Sequence, residues 1–92
     1  MKHRRTDRFI EAFKTLPESV RRRACKAFRL FEENMSHPSL RIEQIEGASG
    51  IWSGRISRKH RWTFHFEDNR ETGVKICVHR VIGLHDDVYR AP

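Results

Sequence analysis

The chain has 92 residues, 37% hydrophobic and 34% charged, with a formal net charge of +7. That length holds one small domain spanning residues 1–92, and that balance excludes a disordered chain. No apolar run approaches a membrane span, and the opening "MKHRRTDRF" lacks the apolar core of a secretion signal, so the expectation is a cytoplasmic protein.

The charge is unevenly placed. Residues 1–31 carry ten Lys or Arg against three Asp or Glu, whereas residues 32–92 carry nine of each. A basic knot, "RISRKHR" at 55–61, adds Arg55, Arg58, Lys59, His60 and Arg61 in one short stretch. A basic surface points to a polyanionic partner, nucleic acid first. Cys25 and Cys77 are far apart and flanked by apolar residues, so they read as buried free thiols. No Cys-x-x-Cys pair or His-Glu-x-x-His helix supports zinc.

In chain order, "MKHRRT" reads as a short edge strand. Thr6 or Asp7 can cap a helix from Arg8, whose Phe9, Ile10, Phe13 and Leu16 recur at helical spacing. Pro17 breaks it and opens a second helix from Glu18 to about Asn34. Val20, Ala24, Ala27, Phe28, Phe31 and Met35 mark the apolar side of that helix; Arg21, Arg22, Arg23, Lys26 and Arg29 load the rest. "SHPS" at 36–39 ends it.

The period then changes to two. Residues 40–45, 51–57, 61–67 and 74–83 read as strands, with turns at "EGASG" and "EDNRETG". The last, "VKICVHRVIG", is the most apolar and is expected to be central. Alternation sends Trp52, Trp62, Phe64 and Phe66 to one face, and Arg55, Arg61 and His65 to the other. The expected fold is α+β: an N-terminal helical hairpin on one face of a twisted antiparallel sheet of about four strands.

The uncovered face collects the candidate site. Arg55 and Arg61, near the ends of one hairpin turn, suit bidentate grip on a phosphate. His85 and Tyr89 follow the last strand in "GLHDDVYRAP"; histidine suits proton transfer near neutral pH, and tyrosine can bind or stack on a nucleotide. The neighbouring Asp86 and Asp87 orient an imidazole or solvate a loop, since adjacent carboxylates seldom converge on one ion. His60 and His65 are further candidates for RNA contact, and His79, in an apolar strand, reads as a structural histidine.

These elements and residues resemble the RelE/ParE superfamily of bacterial toxin–antitoxin toxins. The resemblance spans nearly the whole chain and rests on "MKHRRTDRFIEAFKTLPESVRRR", "IEGASGIWSGRIS", "KHRWTFHF" and "VIGLHDDVY". It implies a ribosome-dependent mRNA endonuclease, needing no metal or cofactor, neutralised by an adjacent-encoded acidic antitoxin. It assigns Arg55 and Arg61 to phosphate stabilisation, and His85 and Tyr89 to the catalytic end, in a form similar to the YafQ branch. It assigns Arg21–Lys26 to ribosomal RNA. Ser53 stands where some relatives carry a second basic residue. Two other readings share the fold: a gyrase-poisoning ParE-like toxin, and an inactive toxin that only binds its antitoxin.

Overall fold

The computed structural model describes residues 1–92. Strand β1 (Lys2–Arg5) leads into helix α1 (Asp7–Thr15), then α2 (Glu18–Glu33). A 3-10 turn (Pro38–Leu40) precedes β2 (Glu43–Gln44), β3 (Trp52–Arg55), β4 (His60–Asp68), β5 (Lys75–Leu84) and α3 (His85–Arg90). The sheet has five strands in the order β1-β5-β4-β3-β2.

Local chemistry sets the boundaries. Thr6 caps α1: its Oγ1 accepts from Phe9 N at 3.0 Å and donates to Arg80 O at 2.7 Å, tying the helix start to β5. The guanidinium of Arg21 folds back onto the Leu16 carbonyl, at the end of α1. Strand β2 is shorter than expected. Buried Leu40 closes the 3-10 turn and Arg41 adopts a left-handed conformation (φ 46°), which redirects the chain just before pairing begins.

Two topological expectations change. The sheet has five strands rather than about four, and it is not purely antiparallel, because β1 runs parallel to β5. Strand β5 is interior but β4 holds the middle position. The parallel pair follows from connectivity: α1, α2 and three strands separate β1 from β5, enough chain for a crossover.

The helices cover one face, as alternation requires. Phe9, Ala24, Phe31, Trp62, Phe64, Cys77 and Ile82 are buried in one cluster, with Phe28, Trp52 and Phe66 packed against it. Phe31 meets Trp62 and Phe64 edge-on, at ring-centroid distances of 5.5 and 4.9 Å. Gly54 lies under the Trp62 ring. A Cβ there would sit 2.1 Å from a ring carbon, so only glycine lets strand and indole approach this closely. His79 is buried here as well; its Nδ1 accepts from Trp62 Nε1 at 3.2 Å. Burial pushes its pKa down to about 4, with His3 and Arg5 adding to the effect.

Cys25 departs from expectation. Cys77 is buried, but Cys25 is exposed, because the stripe of α2 that enters the core is Ala24, Ala27 and Phe31.

Candidate functional site

The second face is only partly open. Helix α3 folds onto it at the β3–β4 loop end, placing Val88 in a buried position over Gly83. The chain end continues across: the Pro92 carbonyl oxygen accepts from Thr63 Oγ1 at 2.9 Å and Arg80 Nε at 3.1 Å. Ser53 and Thr63 therefore reach 1% and 0% exposure despite facing away from the main core. A β-bulge contributes. Thr63 pairs with Val81 and Phe64 with His79, so Arg80 is the extra residue and turns to this face beside Val81.

Arg55 and Arg61 are direct partners across β3 and β4, and Gly83 lies opposite Arg61 on β5. The Arg61 Nη1 donates to the carbonyls of Ser57 at 2.7 Å and His60 at 2.9 Å, fixing the guanidinium against the β3–β4 loop. Its Nε and Nη2 make no hydrogen bond within the protein, a geometry that could grip an anion. The loop in turn holds α3, because Lys59 O accepts the His85 backbone N–H at 2.8 Å.

His85 and Tyr89 sit one helical turn apart and stack with ring centroids 4.2 Å apart and planes 16° apart. Tyr89 reaches over the sheet to Ser53, its hydroxyl 2.8 Å from Ser53 Oγ. His85 Nδ1 lies 3.1 Å from Asp86 Oδ1. Arg55, Arg61, His85 and Tyr89 thus share one end of one face.

His60 and His65 do not join them. His60 follows the parity of Trp62 and so turns away from Arg61, into a cleft of about 560 Å³ between α1 and α3 that Leu16, Ile82 and Val88 also line. Ser57 Oγ accepts the backbone N–H of Lys59 and of His60, so its own proton goes to His60 Nδ1, 2.9 Å away. Burial lowers the His60 pKa, and Lys59 and Arg61 lower it further. His65 is on the correct face but has both nitrogens committed. Nδ1 accepts from Arg80 Nη1 at 2.8 Å, leaving Nε2–H for Glu67 Oε1 at 3.1 Å. Glu67 also pairs with Arg4 at 2.9 Å, linking β1 to this network.

Among the remaining basic candidates, Arg58, Lys59, Arg23 and Lys26 are exposed, and Arg22 is exposed while paired with Glu18 at 2.8 Å. Arg21 is the exception, half-buried and turned onto Leu16 O.

One cluster has a metal-like composition: His3, Cys77 and His79, with ligand atoms within 4.8 Å of one another. Its hydrogen bonding disfavours that use. The indole N–H of Trp62 occupies His79 Nδ1, so Nε2 carries the proton and donates to His3 Nδ1 at 2.9 Å. The in-plane lone pair of His79 is spent on Trp62 and that of His3 Nδ1 on His79, and burial pushes the Cys77 thiol up to about 12.

No protein-family model and no curated protein matches this sequence. Solved structures do match. A YoeB/ParE toxin from Agrobacterium tumefaciens superposes with a TM-score of 0.73 at 16% identity, covering 92% of this chain and 99% of that one. The chain has the RelE-like toxin fold. YafQ from E. coli also gives a TM-score of 0.73, at 8% identity, covering 94% of each chain. The toxin of a RelB–RelE antitoxin–toxin complex from Methanococcus jannaschii gives 0.68 at 18% identity, with 97% of this chain and 99% of that one covered.

Proposed function

We propose that this protein is the toxin of a toxin–antitoxin pair and an endoribonuclease that cuts mRNA on the ribosome. The observation that carries the reading is the stacked His85–Tyr89 pair at the same end of the sheet as the cross-strand pair Arg55–Arg61. The RelE-like fold supports it, since a fold that relates toxins supplies the scaffold while these residues supply the chemistry.

RNA carries its own nucleophile. His85 takes the proton of a 2′-hydroxyl, the oxygen attacks the adjacent phosphorus, and the P–O5′ bond breaks to leave a cyclic phosphate and a 5′-hydroxyl. Arg55 and the anchored Arg61 stabilise the charge that builds on the phosphoryl oxygens. Tyr89 supports rather than transfers a proton, because its hydroxyl is engaged by Ser53. Solvent protonates the leaving oxygen, since His60 faces away and His65 is fully bonded. So sparse a site depends on the ribosome to align the message. Arg22, Arg23, Lys26, Arg58 and Lys59 supply the basic surface for ribosomal RNA. An acidic antitoxin is the expected partner, as several solved neighbours are RelB complexes, and the cytoplasm is the expected compartment.

The test is message integrity in a translating extract and with naked RNA. Cleavage confined to translated message supports the reading; intact message at excess protein overturns it. A gyrase poison of this fold needs neither His85 nor Tyr89, so inhibited supercoiling that survives His85→Ala favours that alternative. Normal growth on overexpression without antitoxin favours a module that only binds.

A further inference from the structure

Buried Ser53 and exposed Asp86 have no part in the chemistry above, yet each touches a residue that does. Ser53 is 1% exposed, and the one side-chain partner of its hydroxyl is Tyr89 OH. A buried hydroxyl without a partner is costly, so this bond fixes where the Tyr89 ring ends. The ring is the platform on which His85 lies, near-parallel and in contact. Helix α3 has only six residues, too few to hold a side chain still by helical hydrogen bonds alone. On the other side, a carboxylate has only lone pairs to offer, so the 3.1 Å contact with Asp86 places the His85 proton on Nδ1. Nε2 is then left with the free lone pair.

We propose that Ser53 and Asp86 are positioning residues that clamp His85 from two sides. Ser53 acts through Tyr89 to fix the plane of the ring. Asp86 fixes the tautomer, and thereby makes His85 the group that accepts the 2′-hydroxyl proton rather than the one that donates to the leaving oxygen. The inference rests on the endonuclease reading, but its structural half stands on the free protein alone.

The clamp is tested by two measurements on the full chain. Nitrogen-15 spectra of the His85 imidazole report the tautomer without any substrate. Wild type is expected to show Nδ1–H; Asp86→Ala loses that preference. Asp87→Ala, which removes the same charge from the same helical turn without touching His85, retains it. Single-turnover and steady-state cleavage then compare Ser53→Ala, Tyr89→Phe and the double variant. Each single change removes the same hydrogen bond, so each lowers kcat about five- to tenfold with KM unchanged, and the double variant is no slower than either. Additive losses in the double variant overturn the Ser53–Tyr89 arm. An Nδ1–H tautomer that survives Asp86→Ala overturns the other. Wild-type protein that cuts no message removes the endonuclease reading, and the spectra still decide whether the clamp exists.

Discussion

The two faces of this sheet come from the same alternating strands but are held by different forces. On the helix-covered face, Phe9, Phe31, Trp62 and Phe64 are buried against one another, and the single polar intruder, His79, is bonded at both nitrogens. On the other face, Val78, Val81 and Val88 are buried outside the aromatic cluster, and much of the order comes from hydrogen bonds: Tyr89 to Ser53, Pro92 to Thr63 and Arg80, His65 to Arg80 and Glu67. The contrast teaches that the first face is held by apolar packing and the second by hydrogen bonds around the residues of the proposed site, and that few residues serve both.

The largest effect is expected where the helix-covered face is tightest. Gly54→Ala drives a methyl into the Trp62 ring, 2.1 Å away, and costs about 3 kcal/mol or more, at the upper end for overpacked cores. Chemical denaturation reads it directly, and a loss under about 1 kcal/mol would show that strand and indole are not in rigid contact.

Next comes the acid sensitivity of the same face. Above the unfolded value of 6.5, neither state of His79 binds the extra proton and its contribution is complete. As pH falls through 6.5 toward about 4, the unfolded chain gains a proton that the folded protein refuses, so stability declines. The loss attributable to His79 is at most about 3 kcal/mol. In His79→Asn, which keeps an acceptor for Trp62, the slope of stability against pH in that window is expected to flatten relative to wild type.

The other face should separate stability from activity. Arg55→Ala leaves stability within about 0.5 kcal/mol. It lowers message cleavage about a hundredfold, as removal of a charge-stabilising group does. Loss of both together would mean that Arg55 supports the sheet instead. The smallest effect belongs to the far end of that face: His65→Asn is expected to change cleavage less than about twofold, because the imidazole is committed to Arg80 and Glu67.

Alternation carried much of this architecture in the sequence. The split of Trp62, Phe64 and Phe66 from Arg61, Thr63 and His65 follows from period two, and the helical hairpin from the spacing of Phe9, Phe13, Ala24, Ala27 and Phe31. Position 60 shares the parity of Trp62, so its turn away from Arg61 was readable by the same rule. Three features were not. The parallel docking of β1 depends on which strand lies beside it, a long-range choice that the polar "KHRR" does not encode. The bulge at Arg80 is a pairing irregularity with no local signature. Helix α3 is six residues long, too short for a periodic stripe, although Asp86 and Asp87 in its first turn and Arg90 in its last suit the helix dipole. Its formation moved His85 and Tyr89 from a tail to a stacked pair. The partners of His65 and Ser53 could be seen only once β4, β5 and α3 were assembled.

The most direct test of the central claim is to map cuts on a ribosome-bound message with wild-type protein and with His85→Ala, both confirmed folded by their unfolding transitions. The account predicts discrete cleavages with wild type and none with His85→Ala. Uncut message with wild type, or the same cuts at the same rate with His85→Ala, would contradict it.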